Sequence, residues 1–297
     1  MFGEEMRKLE EEFAKFCGKK YCVSLRSGTD AIETSLRVLS KQNQGLDFLR
    51  QSYYYRIPFF TNNVWMKIIS VTEEGIMNLE LLEEKLKNLQ PPICVFITYM
   101  NSTQPNLNLL KQLKAKYNFY LVEDACQAVS RTLVGDLSCF SFYPAKILGG
   151  IGKGGAIVSD DKGLIDLVRK ERDDKWNNLW LDEVKCAFLR VKLKYLKQEI
   201  EKRKFVVRKY NEGFQDIKEL RILSKDCLQN YIILTETEDG MLSLMDYLRK
   251  NEIETFPDKN DFYEGCFENG IRLPIYGELK VKEVDYVIKK IRQFFEK

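Results

Sequence analysis

The sequence predicts an α/β protein with a large first domain, residues 1–165, followed by a smaller α+β portion, residues 166–297. Strand and helix patterns alternate up to about residue 160, which is typical of a mostly parallel sheet. From residue 184 one long helical tract replaces this alternation. The length of 297 residues also agrees with about two domains of ordinary size.

Hydrophobic periodicity places the elements in order, because apolar residues recur every third or fourth position in helices and every second position in strands. The first domain is predicted to hold helices at residues 4–17, 31–39, 78–89 and 109–117, and strands at 21–25, 66–71, 93–99, 119–122, 139–143 and 156–159. The second portion is predicted to hold a helix at 184–213, a strand at 231–235, and helices at 241–251 and 281–295. Gly18 is suited to end the first helix, whereas the aromatic stretch 42–63 shows no period that assigns a structure.

Composition removes several classes of function. The chain is 44% hydrophobic, so it can form a core. Its net charge of only +3 gives no support for a nucleic-acid partner. It has no histidine, which excludes a histidine-based catalytic triad, a histidine-ligated zinc site and a histidine general base. Eight cysteines without a CxxC pair or a secretory signal predict free thiols in a cytoplasmic protein. No apolar stretch reaches about 18 residues, so no membrane partner is predicted.

A glycine cluster at residues 149–155 formally matches two nucleotide-binding motifs. A dinucleotide-binding GxGxxG needs a helix directly after it, but the apolar run at 156–159 predicts a strand. A Walker A loop fails as well, because Gly154 rather than Ser or Thr follows Lys153. The cluster is therefore predicted to form a hairpin in which two chain segments approach closely.

Three features at predicted strand ends carry the chemistry. Ser27, Gly28 and Thr29 form a strand-to-helix turn, where a helix N-terminus favours an anion, although the hydroxyls could equally be helix caps. Asp124 ends an apolar strand, the edge where open α/β sheets bind ligands, and it too could be a cap. Lys146 follows another apolar strand and could form a Schiff base or simply be solvated.

Taken together, the three features fit one cofactor. Pyridoxal 5'-phosphate (PLP) requires a lysine for the imine, a carboxylate against the pyridine nitrogen, and a cradle for a doubly charged phosphate. Each requirement is met by one of the features, and all three lie at strand ends of one predicted sheet. The sequence therefore predicts a PLP site and no metal site.

The chain also resembles the DegT/DnrJ/EryC1/StrS family of fold-type I, PLP-dependent aminotransferases that act on nucleotide-linked sugars. The most specific segments are Ser27-Gly28-Thr29-Asp30-Ala31 and Ser141-Phe142-Tyr143-Pro144-x-Lys146. Further similar segments, in the family's order, are 10–16, 123–128, 152–156, 181–183, 189–193, 210–213 and 273–276. The resemblance implies the three-layer fold of aspartate aminotransferase for the large domain.

The resemblance assigns roles to individual residues. Lys146 would form the Schiff base and then act as the catalytic base, and Asp124 would pair with the pyridine nitrogen. Gln127 would lie near the phenolic oxygen of the cofactor. The phosphate would be held by Gly28, Thr29, Ser141 and, from a second subunit, Asn178. An aromatic side chain would stack on the ring, with Tyr55 favoured and Tyr53 as the reserve.

The resemblance also implies a reaction and an assembly. Glutamate or a similar donor would give its amino group to a keto group of a nucleotide-linked sugar, in a homodimer with active sites at the subunit interface. Relative to the family, the N-terminal segment and the substrate loops are short, which leaves open a cofactor-binding homologue that is non-catalytic or regulatory. A PLP-dependent sugar dehydratase is a third possibility, which the lysine at position 146 disfavours.

Overall fold

A computed structural model describes residues 3–52, 54–55, 66–174, 176, 178–223, 225–258, 263–264 and 267–296. By its internal contacts the chain divides into two compact units. The first comprises Met1–Met100 and Gln104–Leu196, and the second comprises Asn101–Thr103 and Lys197–Lys297. None of the described helices is both long and apolar enough to cross a membrane.

The first unit alternates strands and helices as the sequence predicts. Its helices are α1 (Glu4–Phe16), α2 (Gly28–Gln42), α3 (Leu79–Leu86), α4 (Leu107–Tyr117), α5 (Lys162–Asp173) and the first part of α6 (Glu183–Phe214). Its strands are β1 (Tyr21–Leu25), β2 (Asp47–Gln51), β3 (Tyr54–Tyr55), β4 (Met66–Ile69), β5 (Ile93–Thr98), β6 (Tyr120–Asp124), β7 (Leu137–Ser141) and β8 (Gly155–Ser159).

Seven of these strands form one sheet in the order β1-β8-β7-β6-β5-β2-β4. Strands β4, β2, β5, β6 and β7 pair in parallel, whereas β8 runs antiparallel to both β7 and β1. The prediction of a mostly parallel α/β sheet is therefore confirmed. The hairpin predicted for the glycine cluster is also confirmed, since Ser141 at the end of β7 pairs with Gly155 at the start of β8.

The core of this unit lies between the sheet and the helices α2 and α5. Helix α2 packs on β6, β7, β8 and β1, and α5 packs on α2, β1 and β8. Strand β5, which lies between two parallel neighbours, is buried along its whole length, because a strand covered on both faces needs apolar residues on both. By contacts, α5 and the start of α6 group with the first unit, and the domain boundary at residue 165 stays a prediction.

A buried ion pair fixes α1 to the sheet. The Arg172 guanidinium lies 2.6 Å from the Glu10 carboxylate, which also accepts hydrogen bonds from the amide and hydroxyl of Ser24 in β1. Arg172 is 4% exposed and donates to the carbonyl of Ser24 as well. A buried charge is tolerated when it is paired and hydrogen-bonded, so this cluster joins α1, β1 and α5.

The second unit has an antiparallel sheet in the order β11-β13-β10-β9. Its elements are the rest of α6, β9 (Leu220–Ile222), β10 (Tyr231–Thr235), α7 (Glu238–Lys250), β11 (Phe256–Pro257), β12 (Tyr263–Glu264), β13 (Gly270–Leu273) and α8 (Val281–Phe295). Tyr210 of α6 is fully buried and donates a hydrogen bond to the carbonyl of Pro274. The α+β character predicted for this part of the chain is confirmed.

Candidate active site

Asp124 is the last residue of β6 and lies on the face of the sheet that α2 covers. Its register partners are Thr98 in β5 and Cys139 in β7, and Cys139 Sγ lies 3.2 Å from Ser35 Oγ of α2. The carboxylate is 4% exposed and accepts a hydrogen bond from the Cys126 amide at 3.0 Å. Burial raises the pKa of Asp124, and the Cys126 hydrogen bonds and the charge of Lys146 oppose that rise.

The start of α2 is built to hold an anion. Ser27 is the N-cap: its hydroxyl accepts a hydrogen bond from the Asp30 amide and donates one to the Asp30 carboxylate. The capping role considered for this serine is therefore confirmed. The amides of Gly28 and Thr29, in the first turn, have no hydrogen-bond partner among the described residues. Free amides at the positive end of a helix of 15 residues are a ready site for phosphate.

Two glycines bring this helix start next to the end of β7. A Cβ atom added to Gly28 would lie 2.7 Å from Ser141 Cβ and 3.1 Å from Cys126 Sγ. A Cβ atom on Gly155 would lie 2.3 Å from the Ser27 carbonyl oxygen. Since Gly155 pairs with both Leu25 and Ser141, its lack of a side chain lets the turn cross β8 and reach β7. Gly28 and Ser141, predicted as phosphate ligands, are thus brought together.

Lys146 lies in the turn that follows β7. Its amide donates to the Tyr143 carbonyl at 2.8 Å, and the residue is half-buried. Its charge lowers the pKa of both Asp124 and Cys126, so the Lys146 amine lies close enough to both residues to influence them electrostatically. Lys192 of α6 donates a hydrogen bond of 2.7 Å to the Gly149 carbonyl and so holds the loop that carries Lys146.

Gln127 and Thr98 complete the surroundings of Asp124. Gln127 is 6% exposed and lies in the turn 125–128, which the Ala128 amide closes by donating to the Ala125 carbonyl. Thr98 was not predicted from the sequence. It is 4% exposed, and its hydroxyl has no hydrogen-bond partner within the described part of the chain. As the register partner of Asp124, Thr98 presents this hydroxyl on the same face of the sheet.

Two of the predicted positions are not brought into this arrangement by any contact that the described residues make. Asn178 is exposed and has a left-handed backbone with φ of 46°. Its neighbour Leu179 accepts a hydrogen bond from the Arg26 amide of the same chain at 2.8 Å. The stacking role predicted for Tyr55, with Tyr53 as the reserve, concerns side chains that lie outside the described residues.

The described residues fit PLP. A buried carboxylate whose pKa is raised by burial is suited to a cationic partner such as a protonated pyridine nitrogen. The Gly28 and Thr29 amides offer donors for the phosphate, and the Gly28–Ser141 approach leaves no room there for a side chain. The unpaired Thr98 hydroxyl adds a buried donor on the Asp124 side.

Glu123 and Tyr99 have no role among the sequence-based predictions. Glu123 is fully buried within β6, and its carboxylate accepts a hydrogen bond of 2.7 Å from the phenol of Tyr99. A signal was present, because an acidic residue inside an apolar strand must find buried donors. The identity of those donors depends on strand order, which periodicity does not provide.

Comparisons with known proteins identify the family of this chain. The model of the DegT/DnrJ/EryC1/StrS aminotransferase family matches residues 1–48 and 72–258. The chain is 29% identical over 238 residues to the erythromycin biosynthesis sensory transduction protein EryC1 of Saccharopolyspora erythraea, covering 73% of this chain and 64% of that protein. It is 26% identical over 235 residues to the dTDP-3-amino-3,4,6-trideoxy-alpha-D-glucose transaminase of Streptomyces venezuelae, covering 72% and 61%. The matches thus span less than two thirds of these two relatives.

The fold comparison covers the whole chain. The crystal structure of NtdA from Bacillus subtilis with bound cofactor PMP superimposes with a TM-score of 0.83 at 19% identity, covering 100% of this chain and 78% of that one. This likeness establishes the fold expected from the resemblance, that of the PLP-dependent transferases. The family model alone covers most of the chain and includes Gly28, Asp124 and Lys146. The chain belongs to the DegT/DnrJ/EryC1/StrS aminotransferase family.

Proposed function

We propose that this protein is a PLP-dependent aminotransferase that moves an amino group from glutamate, or a similar donor, to a keto group of a nucleotide-linked sugar. The observation that carries the proposal is the convergence of three groups within one unit. A helix start with free amides touches the β7 end through Gly28 and Ser141, and Cys126 joins it to the buried Asp124. The charge of Lys146 acts on Asp124 from the next turn. A transaminase of a nucleotide-linked sugar among the relatives supports the choice of substrate.

Different residues would bind different parts of the cofactor. The amides of Gly28 and Thr29, with the Ser141 hydroxyl, would bind the phosphate, and Asn178 of a second subunit would add a donor. Asp124 would keep a proton on the pyridine nitrogen, while Gln127 would lie near the phenolic oxygen and Tyr55 on the ring. When bound, PLP supplies an electron sink for charge that develops on the substrate carbon.

Lys146 is the group that would handle the proton of the reaction. With no histidine in the chain, the proton at the substrate carbon needs another base of suitable basicity. Lys146 is half-buried, and its charge acts on both Asp124 and Cys126. Cys126 is unsuited to the role, because burial raises the pKa of its thiol well above the usual value.

Absorbance spectra test the proposed reaction in two halves. Adding glutamate to the PLP-loaded protein should replace the absorbance of the aldehyde form with that of the amine form. A panel of keto-sugar nucleotides should then restore the aldehyde form with the true acceptor only. A loaded protein that glutamate leaves unchanged would instead be the non-catalytic homologue, an alternative in keeping with the sensory name of one relative. Release of water from the sugar without amination would indicate a dehydratase.

The proposed assembly is a cytoplasmic homodimer. Val184, Phe188, Val191 and Tyr195 follow one another along one stripe of α6 and are 74%, 38%, 55% and 60% exposed. An exposed apolar stripe on a helix favours a protein partner, and a second copy would pair stripe with stripe about a two-fold axis. Asn178, just before this helix, is exposed and could reach the partner's phosphate site. The seven described cysteines are free thiols, in keeping with a reducing compartment.

Val191→Glu should convert the dimer to monomers in sedimentation experiments, because it places a charge in the apolar stripe. Lys197→Gln, at an exposed position on another face of the same helix, changes the net charge by the same amount and should leave the dimer intact. Asn178→Ala should also keep the dimer but weaken PLP retention. A wild-type monomer with full PLP occupancy would contradict the interface.

A further inference from the structure

A buried carboxylate lies directly beside Asp124. Glu123 precedes it in β6 and, because strand residues alternate, occupies the opposite face of the sheet. Glu123 is 0% exposed. Its Oε1 accepts hydrogen bonds from Tyr99 Oη at 2.7 Å and from the Val134 amide at 2.8 Å, and its Oε2 accepts one from Ser138 Oγ. No lysine or arginine pairs with it in the part of the chain that the structure describes.

The surrounding chain is shaped around this carboxyl group. A Cβ atom added to Gly135 would lie 2.8 Å from Glu123 Cγ, so a glycine is needed where the segment before β7 crosses the side chain. Burying a carboxyl group is costly unless donors replace the lost water. Three neutral donors from two separate segments do so here. Glu123 therefore joins the ends of β5 and β6 to the segment that enters β7.

Tyr99 connects this cluster to Asp124 itself. Its phenol donates to Glu123, and its backbone amide donates to the Asp124 carbonyl at 3.0 Å. The side chain is fully buried. Burial, followed by the nearby Glu123, raises the pKa of Tyr99 well above its usual value, so the phenol stays protonated as a donor. One residue thus holds the backbone of Asp124 and the side chain of its neighbour.

We propose that Tyr99 and Glu123 are positioning residues that orient Asp124 toward the cofactor. The inference rests on the proposed function, in which Asp124 meets the pyridine nitrogen. On its own face of the sheet, the Asp124 carboxylate is held by a hydrogen bond from the Cys126 amide. The Tyr99–Glu123 pair holds the end of β6 from the opposite face of the sheet. The Asp124 carboxylate is therefore already oriented before the cofactor binds. Such preorganisation by neighbouring hydrogen bonds is what precise sites require.

Tyr99→Phe tests the pair, because it removes the phenol and keeps the backbone amide. We expect about tenfold weaker binding of PLP to the apoprotein, measured by absorbance titration, together with a changed visible circular dichroism of the bound cofactor. Tyr210→Phe is the control, since Tyr210 is equally buried and loses one hydrogen bond, but in the second unit. It should lower the melting temperature without changing PLP affinity or the spectrum.

Glu123→Gln separates position from charge. Its amide oxygen can still accept from Tyr99 and Val134, and its NH₂ group can donate to Ser138. We therefore expect PLP affinity and circular dichroism close to those of the wild type, whereas Glu123→Leu should resemble Tyr99→Phe. Tyr99→Phe with unchanged affinity and spectrum, or a folded Glu123→Gln that loses as much affinity as Tyr99→Phe, would overturn the inference. A wild-type protein that does not bind PLP would instead refute the proposed function.

Discussion

Replacing Lys146 with alanine should abolish covalent attachment of PLP and lower turnover by about 10²- to 10⁴-fold. The same amine would attach the cofactor and move the proton, so its loss removes two contributions at once. No histidine exists to replace it, and burial raises the pKa of the Cys126 thiol well above neutrality. Borohydride treatment followed by peptide mapping measures the first effect, because reduction fixes PLP on the lysine that holds it. Initial rates with glutamate measure the second.

Lys153→Ala provides the matched control for Lys146. Lys153 lies in the loop between β7 and β8, as Lys146 does, but it is exposed. Its replacement should leave the borohydride label, the absorbance of the bound cofactor and the rate unchanged. A label found on another peptide, or a normal spectrum in Lys146→Ala, would show that the lysine has been assigned wrongly.

The three groups of the site were predictable because each follows an apolar strand. In a parallel sheet the carboxyl ends of strands meet at one edge, so the sequence alone predicts that Asp124 and Lys146 lie near each other. The contact between Gly28 and Ser141 was not predictable in this way. It depends on β8 lying between β1 and β7 and on Gly155 leaving space above it. Periodicity gives neither strand order nor register.

Strand β2 shows where periodicity fails. It lies inside the sheet, between the edge strand β4 and β5, yet its sequence contains Asp47, Arg50 and Gln51. Gln51 is fully buried because its side-chain oxygen accepts a hydrogen bond from the Thr98 amide. Polar residues that are satisfied by tertiary contacts interrupt the apolar pattern on which sequence analysis relies. Helix α5 was also missed, although Ile165 and Val168 form its buried face.

Replacing Asp124 with asparagine should affect the apoprotein and the cofactor complex in opposite directions. Asparagine keeps the oxygen that accepts from the Cys126 amide but cannot carry the charge that would hold a proton on the pyridine nitrogen. Hydrogen bonds between charged partners are the strong ones, so PLP binding should weaken by about tenfold or more. The apoprotein should become more stable near neutral pH, because burial raises the pKa of Asp124 and ionisation of that carboxylate disfavours folding.

The pH dependence of apoprotein stability tests whether ionisation of Asp124 destabilises the fold. Since the folded pKa of Asp124 lies above the unfolded value, the folded state binds the proton more tightly, and the free energy of unfolding falls as the pH rises through that window. The advantage of Asp124→Asn should thus be present near neutral pH and disappear below the ordinary aspartate pKa of 3.8. Asp136→Asn is the control, since Asp136 accepts from the Leu121 amide and pairs with Lys114. It should not strengthen the fold near neutral pH and should leave PLP binding unchanged. If the Asp124→Asn apoprotein is instead less stable than the wild type at neutral pH, the prediction that the ionised Asp124 carboxylate destabilises the fold without cofactor is wrong.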